Sequence, residues 1–198
     1  MKVLLLSPYP EKLKNLIIES GDEVISHEHP IDESFITKNN IEFIVSYGYR
    51  YKLNSSLLKK VNYNAINLHL SYLPFNKGAY PNLWSHIDDT LSGVTIHLID
   101  DDLDTGNILF QKEVKIDRNY HTFKSSYLFL TQEIERLFAL NWIYIRKKIC
   151  LGWPQAEQGT YHSIKDSETI IKTLKNGWET NINEFIMFNV NTKNQSSI

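Results

Sequence analysis

Cysteine is nearly absent: Cys150 is the one thiol in 198 residues. A lone thiol excludes an intramolecular disulfide framework and a thiolate metal cluster. Near a helix end it reads as a small buried hydrophobe. No apolar run approaches the roughly 20 residues of a membrane span, and none reads as the apolar stretch of a signal peptide. Cytoplasm is therefore the expected compartment, with no membrane partner. Charge of one sign is also scarce: 21 Lys and Arg oppose 23 Asp and Glu, leaving −2 and a pI near 6.4. That balance gives no overall attraction to nucleic acid, so no nucleic-acid partner is expected. Internal repeats and low-complexity linkers are missing. What remains is an ordinary globular composition, 42% hydrophobic and 22% charged, with 11 Tyr and 4 Trp.

The apolar run Lys2–Ser7, ending at Pro8, predicts a buried first strand. Leu13, Leu16 and Ile17 predict a helix over 10–19, closed by Gly21. A short helix through Phe35 and Ile36 precedes a second strand over 42–46. A helix over 53–61, capped by Asn54 or Ser55, leads to a strand over 65–70. Pro81 opens a helix to 88, Gly93–Leu98 reads as a strand, and 108–114 as an outer one. Residues 122–149 carry an apolar stripe of helical period and predict a long packing helix. Beyond Gly152 the pattern weakens, with a short helix over 166–175 and a frayed polar end over 191–198. Strands alternating with helices predict an α/β protein, a Rossmann-like, mostly parallel sheet with helices on both faces. In such sheets ligands bind beyond the carboxyl ends of the strands.

Asn67 and His69 fall at the end of one predicted strand and Asp104 in the loop after another. An amide, an imidazole and a carboxylate suit acyl transfer without a covalent intermediate. The imidazole manages a proton or helps hold the oxyanion, the carboxylate orients the imidazole, and the amide donates to the oxyanion. The surrounding blocks are Asn67-x-His69-x-Ser71-x-Leu73-Pro74, Lys77-Gly78-Ala79, Gly93-Val94-Thr95-Ile96-His97 and Asp104-Thr105-Gly106. Four linked blocks in this order resemble the folate-dependent formyltransferases. The resemblance implies a formyltransferase fold, N10-formyltetrahydrofolate as formyl donor, no metal, and Asn67, His69 and Asp104 as the catalytic residues. It also implies that Arg50, Tyr51 and Leu53 line the pterin pocket, with Ile99, Asp100 and Leu103 on the opposite wall.

Gly78-Ala79-Tyr80-Pro81-Asn82-Leu83-Trp84 resembles the sugar N-formyltransferases most closely. That implies an amino-sugar acceptor, nucleotide-linked, as the small-molecule partner, and a place in surface-polysaccharide biosynthesis. Lys77 would meet an anionic group, Tyr80 and Trp84 would offer stacking faces, and Tyr161 with His162 would close over the acceptor. A glycinamide ribonucleotide or other small-amine formyltransferase is the alternative, and a non-catalytic folate- or sugar-nucleotide-binding module the second. The first loop, Ser7-Pro8-Tyr9-Pro10, lacks the glycines that would cradle a phosphate there. His97 reads as structural, His27 and His29 as loop residues, and Asp100-Asp101-Asp102 as a solvated loop rather than a metal site. Gly48 marks a tight turn or the approach of a ligand. Residues 1–150 are expected to form the catalytic core and 151–198 an extension packed on it, with a homodimer as a further expectation.

Overall fold

Short apolar runs buried on both faces build the centre of the sheet. The computed structural model describes residues 1–156 and 158–195, with side chains to residue 188. Five strands, β1 (Lys2–Leu6), β2 (Glu23–His27), β3 (Phe43–Tyr47), β4 (Ala65–His69) and β6 (Gly93–Leu98), join β7 (Ile108–Glu113) in the order β2-β1-β3-β4-β6-β7. The β2-β1, β1-β3 and β3-β4 ladders are parallel, whereas β4-β6 and β6-β7 are antiparallel. A second small sheet pairs β5 (Lys77–Gly78) with β8 (Tyr161–His162).

One face of the main sheet carries Val3, Leu5, Phe43, Val45, Ile66, Leu68, Val94 and Ile96. It packs against Leu13 and Ile17 of α1 (Glu11–Glu19) and Leu130, Ile134, Phe138 and Trp142 of α5 (Phe123–Arg146). Each such side chain taken fully from water contributes roughly 1.5–3 kcal/mol. The other face carries Leu4, Leu6, Ile44 and Ala65 under Ile36 of α2 (Glu33–Lys38) and Leu57 and Leu58 of α3 (Ser55–Lys60). Helix starts follow their caps. Asn54 Oδ1 accepts from the Leu57 amide at 3.0 Å, and Thr122 with Ser125 forms a reciprocal cap on α5.

The sequence reading assigns no strand to 23–27 and takes His27 as a loop residue, but Glu23–His27 forms β2, a parallel edge strand on β1. Its side chains are mostly half-buried, so no clean apolar alternation marks it. After Gly152 the chain folds further than its pattern suggests. Helix α6 (Ile164–Ile171), a 3-10 turn (Gly177–Glu179) and α7 (Ile182–Gln195) follow β8. Leu174 and Ile182 pack with Phe123 and with Leu83 of α4 (Pro81–Ile87). The backbone is thus helical into the stretch expected to fray, and residues 196–198 lie outside the described residues.

Candidate active site

The period of two along β4 that sends Ile66 and Leu68 into the α5 side sends Asn67 and His69 to the opposite face. There β6 lies beside them, His97 opposite Asn67 and Thr95 opposite His69. Four polar side chains therefore share one patch, and all but Asn67 are buried. Because β6 is antiparallel, its carboxyl end lies beside Ile66, at the far end of β4. Asp104 does not extend a row of parallel strand ends, as the sequence predicts. It reaches the patch because the 99–107 loop folds back over the face. Gly106 permits this, since a Cβ there would stand 1.9 Å from the Leu98 carbonyl oxygen.

Asp104 is the hub. Its Oδ1 accepts from Asn67 Nδ2 at 3.1 Å and lies 3.5 Å from His97 Nε2. Its Oδ2 accepts from the Gly78 amide at 2.9 Å and lies 3.6 Å from His69 Nδ1. Burial alone would raise this carboxyl. The His69 imidazole, then His97 and the Gly78 amide, outweigh burial and hold it well below the usual carboxylate range. Asp104 is an anion in a nearly closed site.

His69 Nε2 lies 3.0 Å from the Asn76 carbonyl oxygen. A carbonyl only accepts, so this nitrogen carries a proton, and Nδ1 on the other side of the ring faces Asp104 Oδ2. His97 Nδ1 donates to the Leu98 carbonyl at 2.8 Å, and its Nε2 lies 3.3 Å from Asn67 Nδ2 and 3.5 Å from Asp104 Oδ1. Beneath them Thr95 Oγ1 donates to the Ser71 carbonyl at 2.7 Å and accepts from the Leu73 amide at 3.2 Å. Ser71 and Thr95 of the motif are thus framework.

The flanking residues fall into two cavities, neither lined by Asn67, His69 or Asp104. Pro8, Glu28, His29, Gly48, Tyr49, Arg50 and Tyr51 line one of about 270 Å³. Gly48, at φ 68°, lines this cavity and backs closely onto the Tyr9 ring, where a Cβ would clash. Leu53 joins neither cavity. Its side chain packs with Ile44 and Leu57, and Ile99 rests against the same cluster, because the β3–α3 link turns inward. Asp100 accepts from Thr105 Oγ1 at 2.6 Å, tying the loop across itself, while Leu103 is exposed.

The larger cavity, about 560 Å³, adjoins the patch through Leu70, the residue after His69. Tyr80 lines it and stacks on Trp178 at 5.7 Å between ring centroids, with Arg50, Lys124 and Tyr127 around them. Trp178, Lys124 and Tyr127 have no signal in the sequence, since only tertiary packing brings them beside Tyr80. Trp84 departs from expectation. It is buried, its ring is stacked on His162 at 3.7 Å and its indole N–H donates to Ser167 at 2.9 Å, so it fastens α4 to α6 and offers no face to a ligand. Tyr161 lies exposed over Gly78, and Lys77 has no ion-pair partner among the described residues.

His97 is the residue whose role the sequence understates. Its place in β6 is structural, yet its ring touches both Asn67 and Asp104. Its alternation against Val94 and Ile96 marks the face, but only the β4–β6 pairing puts Asn67 there.

The formyl transferase family model matches residues 26–137, more than half of the chain and all of this patch. The chain belongs to the formyl transferase family. Among formyl transferases it is 34% identical over 132 residues to the methionyl-tRNA formyltransferase of Thermodesulfovibrio yellowstonii, covering 59% of this chain and 43% of that one. It is 32% identical over 130 residues to the dTDP-4-amino-4,6-dideoxyglucose formyltransferase of Mycobacterium tuberculosis, covering 65% and 54%. The chain thus spans about half, or less, of the length of these curated relatives. The formyltransferase PseJ from Anoxybacillus kamchatkensis, solved with UDP-4,6-dideoxy-4-formamido-L-AltNAc and tetrahydrofolate, superposes with a TM-score of 0.88 at 43% identity. That likeness covers 94% of this chain and 97% of PseJ. A 4-N formyltransferase from Francisella tularensis shares the fold, with a TM-score of 0.76 at 21% identity over 86% of this chain and 79% of that one.

Proposed function

We propose that this chain transfers the formyl group of N10-formyltetrahydrofolate to the amine of a nucleotide-linked amino sugar. The observation that carries this reading is the near end-to-end likeness to PseJ, a formyltransferase solved with a formamido sugar nucleotide and tetrahydrofolate. The Asn67–His69–Asp104 patch supports it with suitable chemistry.

In this reading the neutral amine attacks the formyl carbon. A C–N bond forms, the carbonyl oxygen becomes an oxyanion, and the bond from that carbon to N10 then breaks. The proton lost by the amine ends on N10 of the departing tetrahydrofolate. His69 donates its Nε2 proton to the oxyanion, sharing it with the Asn76 carbonyl that it faces. Asn67 adds a second donor when the formyl oxygen replaces His97 Nε2, its longer contact at 3.3 Å. His69 is therefore an electrostatic donor first, and the proton route runs through solvent or through His69 once Nε2 is released.

Arg50 and Tyr51 receive the folate beside the smaller cavity, and Leu53 and Ile99 form the apolar seam below it. The larger cavity takes the acceptor. Tyr80 backed by Trp178 supplies the stacking wall, and Arg50 and Lys124 supply positive charge. Lys77 and Tyr161 stand outside that lining, and in this reading they meet an anionic group of the acceptor and close over it.

The test is incubation with the formyl donor and a panel of free and nucleotide-linked amino sugars. Tetrahydrofolate release and the mass of the sugar product are both followed. Release that depends on a nucleotide-linked amino sugar is expected. Sugar-independent release would make the protein a hydrolase, and binding without release a non-catalytic module. Trp178→Ala should raise the acceptor KM about ten-fold with little change in kcat, since base or sugar stacking is worth about 1–3 kcal/mol.

A further inference from the structure

Both oxygens that face His69 belong to residues in the left-handed region. Asp104 has φ 55° and Asn76 has φ 58°. Asn and Asp enter this region more readily than other non-glycine residues, and at these two positions specific partners hold them in it. Here the fixing side chains come from one stretch of chain. Gln155 Nε2 donates one hydrogen to the Asp104 carbonyl at 2.8 Å and the other to the Gly106 carbonyl at 2.9 Å. Thr160 Oγ1 accepts from the Asn76 amide at 2.7 Å and donates to Asn76 Oδ1 at 3.1 Å. The stretch is itself anchored at both ends. Trp153 exchanges two backbone hydrogen bonds with Ile108, and β8 pairs with β5.

We infer that residues 153–156 and 158–162 act as a strap across the active site, in which Gln155 and Thr160 are positioning residues for the formyl transfer. Gln155 sets where the Asp104 carboxylate stands against His69 Nδ1. Thr160 sets where the Asn76 carbonyl stands against Nε2. The two side chains together fix the orientation of an imidazole that neither of them touches. This inference rests on the reading of His69 and Asp104 as catalytic.

Gln155→Met keeps length and removes both donors, and Thr160→Val keeps shape and removes the hydroxyl. Each is expected to lower kcat by about ten- to a hundred-fold, the scale of a small misplacement of a catalytic group. Acceptor KM and folate Kd should stay within about three-fold, because neither side chain lines the cavities. Thr160→Ser, which restores the hydroxyl, should recover most of the loss. The ¹⁵N signals of the His69 imidazole should move in both damaging variants without any substrate present. A lowered Tm with unchanged kcat per folded molecule and unmoved His69 signals would overturn the strap. If Gln155→Met does not fold, the Thr160→Val and Thr160→Ser pair carries the same test. Full turnover in His69→Ala would instead remove the catalytic reading, and the imidazole signals would still report the positioning by themselves.

Discussion

Residues 65–69 build two unlike regions from one strand. On the α5 side Ile66 and Leu68 disappear into a cluster of aliphatic and aromatic side chains. On the other side Asn67 and His69 meet a carboxylate, a second imidazole and two loops. Both regions are buried, but different forces hold them. The first is held by area removed from water, tolerant of direction. The second is held by directed hydrogen bonds, in which each polar atom needs a partner at the right angle. Burial alone thus says little about what a residue does. The completeness of its partners says more.

The largest effects should separate the regions cleanly. His69→Ala and Asp104→Asn are each expected to lower kcat by about two to four orders of magnitude, the scale of an acid–base group or an oxyanion donor. Circular dichroism should stay native, and near-normal turnover in either folded variant would remove the assignment. On the apolar side, Phe138→Ala should cost about 3–5 kcal/mol of unfolding free energy. Its kcat per folded molecule should be close to wild type. Urea titration paired with an assay of the folded fraction checks both halves, and a large fall in kcat would show that the two regions are coupled.

A smaller effect sharpens the contrast between partnered and unpartnered polar groups. His86, on α4, is buried against Phe123, and neither ring nitrogen has a partner among the described residues. Burial, with Arg118 and His121 nearby, pushes its pKa down to about 4. The unfolded chain, near 6.5, therefore binds more protons in between, and stability falls as pH drops from about 6.5 to about 4. That gap corresponds to roughly 3 kcal/mol. His86→Leu should flatten this stretch of the stability profile, and an undiminished slope would mean that other groups set it. Asp104 acts in the same direction at lower pH. Its depressed carboxyl contributes stability above about pH 4, the ordinary aspartate range, which is lost on further acidification. Asp104→Asn should remove that acid limb.

The sequence by itself determined the parts of this protein whose information is local. Short apolar runs marked the strands found at 2–6, 43–47, 65–69 and 93–98, a helical stripe marked α5, and Asn54 marked the start of α3. The linked motif blocks marked Asn67, His69 and Asp104, and β4's own period fixed which way the first two point. Tertiary structure decided the rest, because the deciding partners are far away in the chain. The antiparallel run of β6 brought His97 beside Asn67 and sent the 99–107 loop back across the face. Pairing with β1 made an edge strand of 23–27, which has no apolar pattern of its own. Packing against His162 and Ser167 took Trp84 away from any ligand, and packing of the 177–179 turn put Trp178 beside Tyr80 instead. Gln155 reads as an ordinary polar residue in a weakly patterned stretch until the fold lays it against Asp104. Periodicity records which side of an element is buried. Which partner waits there, and at what angle, is fixed only when the elements meet.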